Sequence, residues 1–198
     1  MSYPATFTVE RPHVFRREQV ALRVVLLIAV GWVGHPFGLL WLGVPAVAAV
    51  LISKKGGQRY RDEDGEMMTR ALGWILSFIA YLALLTDELP SRSEPTVHYT
   101  VEPGAAAPAR GLTVGSALAR ILRAIPSLIA LAILLVAGAV AWLMAVIMIL
   151  ISESYPEGIW RFLLGIVRWQ AYVLAYLASL VDQYPPFDLE TSPVAAAS

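Results

Sequence analysis

The chain has no cysteine and only three histidines among 198 residues. Without cysteine there is no disulfide, no thiolate nucleophile and no thiolate metal site, although the compartment stays open. Charge is scarce too: Asp, Glu, Lys and Arg make up 15%, against about 25% in an average soluble domain. The two signs cancel to a formal net charge of zero, which gives no reason to expect nucleic acid as a partner. Four apolar blocks, at 20–52, 67–86, 124–152 and 158–181, contain no Asp or Glu at all. A proton-driven transporter needs a carboxylate at membrane depth, so that function loses its main support. There is no Gly-rich phosphate loop, no His/Glu/Asp cluster at metal spacing and no Ser/His pair. The expectation is a protein that is not an enzyme and holds no cofactor or metal.

Apolar residues fill the space that charge leaves. They reach 58% of the chain, with a mean hydropathy of +0.64. A membrane span needs about 20 apolar residues, and the blocks at 20–52 and 124–152 exceed that with room for tilt. The block at 158–181 is interrupted by Arg168. A cleaved signal peptide is not expected. The first apolar run is longer than the about 7–15 residues of such a leader, and a polar segment precedes it.

Self-similarity organises the whole. Phe7-Thr8-Val9-Glu10 recurs as Tyr99-Thr100-Val101-Glu102, and Leu51-Ile52-Ser53 as Leu150-Ile151-Ser152. A constant offset then matches Tyr60 with Tyr155, Trp74 with Trp169, Tyr81-Leu82-Ala83 with Tyr176-Leu177-Ala178, Asp87 with Asp182 and Pro90 with Pro185. Each half reads strand, long helix, polar turn, shorter helix, stop. The expected fold is an all-α integral membrane protein of four transmembrane helices in two tandem hairpins that run the same way. Residues 1–90 form the first repeat (strand 6–10, spans 20–52 and 67–86). A linker at 91–114 carries a strand at 96–102, the second repeat occupies 115–187 (spans 124–152 and 158–181), and 188–198 is a flexible tail. The strands, with a weaker third candidate at Phe187-Asp188-Leu189, predict a two- or three-stranded β element outside the membrane on the side of the termini. Arg11, Arg16, Arg17, Arg23, Arg92, Arg110, Arg120 and Arg123 on that side outnumber Lys54, Lys55, Arg59, Arg61, Arg70 and Arg161 on the other. The positive-inside rule then puts the termini in the cytoplasm.

A few residues stand out as candidates for a role. Arg161 and Arg168 share one helix face with Tyr172, and Arg168 would lie roughly 10 Å below Arg161. It could snorkel to the headgroups, bond carbonyls within the bundle, or hold a lipid phosphate or another anion. Together with Trp169, these residues are the expected lipid or partner contact. His35, in Gly34-His35-Pro36-Phe37-Gly38, could ligate a haem or pigment, or simply mark a kink or break in its helix. Asp87 and Asp182 sit at helix C-termini, where the macrodipole disfavours an anion. A pairing of each with an arginine at the start of an adjacent helix, Arg23 or Arg120 and Arg123, would give that placement a reason; a solvated stop signal is the alternative.

The second half resembles a known family. Tyr155-Pro156-Glu157-Gly158, Gly165-Ile166-Val167-Arg168-Trp169, Ala175-Tyr176 and Asp182-Gln183-Tyr184-Pro185-Pro186-Phe187 look like the bacterial membrane protein family labelled domain of unknown function 4389. The basic start of the long helix at 120–126 is similar as well. The likeness covers residues 97–190, and the first half is a divergent echo that keeps Trp74, Tyr81, Asp87 and Pro90. It implies a multi-pass protein of the bacterial cytoplasmic membrane and transfers no catalytic residue. The functional expectation is a non-catalytic accessory subunit, in contact with membrane lipids, that packs against and stabilises or assembles a larger membrane complex. A lipid-handling or small-solute transport module and a pigment- or haem-binding subunit are the alternatives.

Overall fold

The computed structural model describes residues 3–12, 17–32, 35–90, 96–102, 111–187 and 189, with backbone alone at 17–19, 28–32 and 35–39. Strand β1 (Ala5–Val9) leads to helices α1 (Arg17–Trp32) and α2 (His35–Lys55). A short helix α3 (Gly57–Arg59) and a π-helical turn (Tyr60–Asp64) then deliver the chain to α4 (Gly65–Leu82). Strand β2 (Val97–Val101), α5 (Val114–Ser152) and α6 (Glu157–Leu177) follow.

Helix α5 begins at a capping box. Thr113 Oγ1 accepts from the Ser116 amide at 3.2 Å while Ser116 Oγ accepts from the Thr113 amide at 2.9 Å, so two end donors are satisfied reciprocally. The helix runs for 39 residues and stops where Glu153 turns left-handed. Its buried stripe includes Ala117, Arg120, Ala124, Ser127, Leu131, Gly138, Ala145 and Ile149, spaced by three, four or seven as one helical face requires. Most of those side chains are small, which lets α6 approach closely. At Gly138 an added Cβ would stand 2.9 Å from the Ile166 Cδ1 methyl, so an alanine there requires that side-chain tip to move.

Helix α6 is the centre of the molecule. From Leu163 to Leu177 every residue except Tyr172 is buried, under α5, α4, α2 and β1. The two shorter helices are antiparallel to one another. The Tyr60 hydroxyl, just ahead of α4, donates to the Ala178 carbonyl just past α6 at 2.5 Å. At the other end the Trp160 indole, early in α6, donates to the Leu85 carbonyl past α4 at 3.3 Å. The antiparallel sheet β1–β2 has the same inverted symmetry. Phe7 faces Tyr99 at its centre, β1 lies against α6 and β2 against α4.

Both helices end in the same motif. The Leu85 amide returns to the Ala80 carbonyl and the Leu84 amide to that of Tyr81; Leu180 to Ala175 and Ser179 to Tyr176 repeat it in α6. This 6→1 and 5→2 pair is a Schellman stop. It puts Leu84 (φ 63°) and Ser179 (φ 59°) in the left-handed region, a conformation that glycine adopts without strain.

The expected four transmembrane helices in two parallel hairpins are overturned. Among the described residues one helix, Val114–Ser152, is long and apolar enough to cross a membrane. The apolar residues of the first block are divided between α1 and α2, and α1 has only 16 residues, about 24 Å at 1.5 Å each. Those of the fourth block cover α6, whose apolar surface is turned to protein and not to lipid. Hydropathy cannot separate the two uses. Nor do the copies run the same way, so the arginine tally no longer compares two sides of a membrane. The sheet has two strands, and Leu189 belongs to neither.

Ser179 makes one specific expectation. Its hydroxyl is buried without a hydrogen-bond partner among the described residues, on a strained backbone. Ser179→Gly removes both penalties and is expected to stabilise by about 1 kcal/mol. For a chain this size that is a thermal midpoint higher by about 2–4 °C, read by circular dichroism in detergent. A lower midpoint would mean that the hydroxyl has a structural role.

Candidate functional site

Two buried arginines organise the ends of the helix pair. Arg120 of α5 and Asp182 form an ion pair with the arginine side chain 8% exposed. The same guanidinium donates to the Val181 carbonyl at 2.5 Å and stands 3.3 Å from that of Tyr176, with its carbon 5.0 Å from the Tyr176 ring centre. Arg23 of α1, 1% exposed, donates to Asp87 at 2.5 Å and lies 4.2 Å from the Tyr81 ring centre. Arginine, tyrosine face and aspartate therefore recur at matched positions in the two halves. A cation on an aromatic face contributes about 0.5–2 kcal/mol, the more when desolvated.

The α6 end has a further layer. Arg61, from the π-helical turn, donates Nε to the Ser179 carbonyl at 3.1 Å and Nη2 to Asp182 at 2.6 Å. With Tyr60 on Ala178, three side chains reach four carbonyls at and just past the buried helix end, of which that of Tyr176 also accepts from the Ser179 amide. Their two positive charges also face the negative end of the helix dipole. Burial alone would raise the Asp182 carboxyl, but the hydrogen bonds from Arg61 and Arg120 outweigh it and hold the carboxyl below its ordinary value. Burial pushes the Tyr60 phenol up, so it stays protonated and remains a donor. The α4 end uses indoles instead: Trp142 donates to the Leu82 carbonyl at 2.9 Å and Trp160 to that of Leu85. Arg11 in turn lies 5.8 Å from the Trp160 ring centre and donates to the Tyr155 carbonyl at 2.7 Å.

The residues expected at a lipid or partner contact are not gathered into one site. Arg161 is 71% exposed at the start of α6 and pairs with Glu157 one turn away. Arg168 is buried and donates Nε to the Phe7 carbonyl of β1 at 3.1 Å. Gly73 holds the matching place on α4, beneath Tyr99 of β2. Trp169 is buried, edge-on to Phe187 at 5.3 Å, and Tyr172 lies against Tyr3 at 4.5 Å. Arg123 is exposed. His35 begins α2, and its side chain lies outside the described residues.

Sequence reading missed Arg61, Trp142 and Gln170. Arg61 was placed on the far side of a membrane from Asp182, and only the inverted packing brings them together. The match of Tyr60 with Tyr155 was the signal available. Gln170 lines a cavity of about 470 Å³ among α1, α2, α4, α5 and α6.

Comparison with known proteins gives one match. Residues 115–188, α5 through the Tyr-Pro-Pro-Phe segment, are similar to a family described as Domain of unknown function (DUF4389). No curated protein and no solved structure matches the chain.

Because the Asp182 carboxyl is held below its unfolded value, its pairing stabilises the fold above the ordinary carboxylate range. That contribution disappears as pH falls through the lowered value. Asp182→Asn leaves Arg120 buried without its counter-charge, which costs about 3 kcal/mol when both partners are buried and less here because the carboxylate is partly exposed. The expected loss is about 2 kcal/mol, or about 4–8 °C in thermal midpoint near pH 7. The gap between variant and wild type is expected to narrow only as pH falls below the ordinary carboxylate range and through the lowered value. A gap that stays constant with pH would rule out the ion pair as its source.

Proposed function

We propose that the protein is a non-catalytic membrane subunit, anchored through α5, that packs against and stabilises or assembles a larger membrane protein complex. Its support is the outer face of α5, where Leu122, Ile133, Val136, Val140 and Ile151 are between 60% and 74% exposed. In water a continuous apolar stripe on that scale is an aggregation surface; hydrocarbon or an apolar partner covers it. The polar residues are distributed accordingly. Arg168 and Gln170 lie inside the bundle, and the two arginine–aspartate pairs lie at opposite ends of the helix pair. Helix α5 has 39 residues and is roughly 58 Å long, more than the about 30 Å of hydrocarbon in a bilayer.

The setting we propose is the bacterial cytoplasmic membrane, in keeping with the family resemblance of the second half. The first half is read as a divergent copy of the same domain. Its Schellman stop and its arginine–tyrosine–aspartate set, matched position for position, support that reading.

Membrane fractions and a mild-detergent pull-down with mass spectrometry test the proposal together. The wild-type chain is expected to resist alkaline carbonate extraction and to retain a membrane protein in fixed stoichiometry. With Ile133→Lys and Val136→Lys combined, both properties are expected to be lost while the helical signal persists. A wild-type protein released by carbonate as a detergent-free monomer would sink the proposal.

A further inference from the structure

The cavity between the helices is walled by Leu40, Trp41, Ile79, Leu163 and Leu174, with no charged side chain among its lining residues. Its size, about 470 Å³, falls within the range of about 300–1,000 Å³ typical of small-molecule sites. Leu135 and Ala139 of α5 also line it. They neighbour Val136 and Val140, so the cavity is continuous with the exposed apolar face of that helix. One lining residue does not fit an empty apolar space. Gln170 is 7% exposed and lines the cavity, a neutral amide in an otherwise apolar wall. Another polar group in the lining, the Trp142 indole, is already committed, since it donates to the Leu82 carbonyl.

An apolar space with a single convergent polar group is the usual form of a small-molecule site, and the polar group states what the ligand carries. Gln170 offers an amide donor and an amide acceptor, both neutral. The absence of any cation in the lining argues against a carboxylate or phosphate inside, because such a charge would be buried unpaired. We infer that the cavity binds a single acyl chain presented as an ester, its carbonyl accepting a hydrogen bond from the Gln170 amide and its hydrocarbon filling the space toward Leu40 and Trp41. Access is from the side, past Leu135 and Ala139. The site is independent of the partner complex proposed above, since it needs only this chain.

The test uses the full-length protein in membranes and, as probe, the methyl ester of a fatty acid carrying a diazirine on its chain. After irradiation, adducts are mapped by mass spectrometry. Labelling is expected on cavity residues of α5 and α6 as well as on the outer face of α5, where any membrane-dissolved chain would react. Gln170→Leu is expected to reduce the cavity adducts at least about fivefold and leave the outer-face adducts unchanged. It adds no bulk and matches the apolar lining, so it is expected to melt no lower than the wild type. Ala139→Phe, at an exposed position, is expected to block the mouth and abolish cavity adducts. The free fatty acid of the same chain, ionised at about pH 9, is expected to label the outer face alone. Cavity adducts that are absent in the wild type, or undiminished in Gln170→Leu, would overturn the inference. So would equal cavity labelling by the ionised acid.

Discussion

Buried helix ends are the constraint on which this structure rests. A helix leaves its last four carbonyls without internal partners, and α4 and α6 both finish inside the protein. The Schellman bonds close some of them locally, and side chains reach further carbonyls at and just past each end, several of them from the opposite half. Tyr60 and Arg61 of the first half serve α6; Trp142 and Trp160 of the second serve α4. That exchange is possible only if the two helices are antiparallel. The inverted packing, the strand pair centred on Phe7 and Tyr99, and the two arginine–aspartate pairs at opposite ends all agree with it.

The radial order of the helices is the reverse of a water-soluble domain's. The most apolar helix, α5, is outermost, with Leu122, Val136 and Ile151 pointing away from the protein. The helix with an arginine and a glutamine in its middle is innermost. A soluble fold would place them the other way round to bury the apolar surface. In hydrocarbon the order costs nothing at α5, and it shelters Arg168 and Gln170 from a medium that could not solvate them. Arg168 donates Nε to the Phe7 carbonyl of β1, which ties the strand to the innermost helix.

Part of this was legible in the residues. The recurrence of Tyr81 as Tyr176 and of Asp87 as Asp182 exposed the two helix stops and the odd position of the aspartates beside them. The antiparallel strands were visible as alternation at 6–10 and 96–102. What could not be read was direction. A repeat has the same spacing whether its copies run together or opposed, so Arg61 and Asp182 were assigned to different faces of a membrane. Nor does apolar content say what it faces: Leu163 to Leu177 carries enough of it to suggest lipid, yet it is consumed in contacts with four neighbouring elements. Gln170 was invisible for the converse reason. One amide in an apolar run attracts notice only when its surroundings are known.

The exchange of caps between halves also governs the order of events as the chain is made. Phe7 waits for Arg168, Tyr60 for Ala178 and Leu85 for Trp160, and none of these partners exists until α6 has been synthesised. Contacts so distant along the chain close slowly, because the intervening loop entropy must be overcome first. The first half therefore leaves the ribosome with the Leu85 carbonyl, the Tyr60 hydroxyl and Arg61 still awaiting their partners. Segments that expose such groups and apolar surface before completion are the ones prone to aggregate.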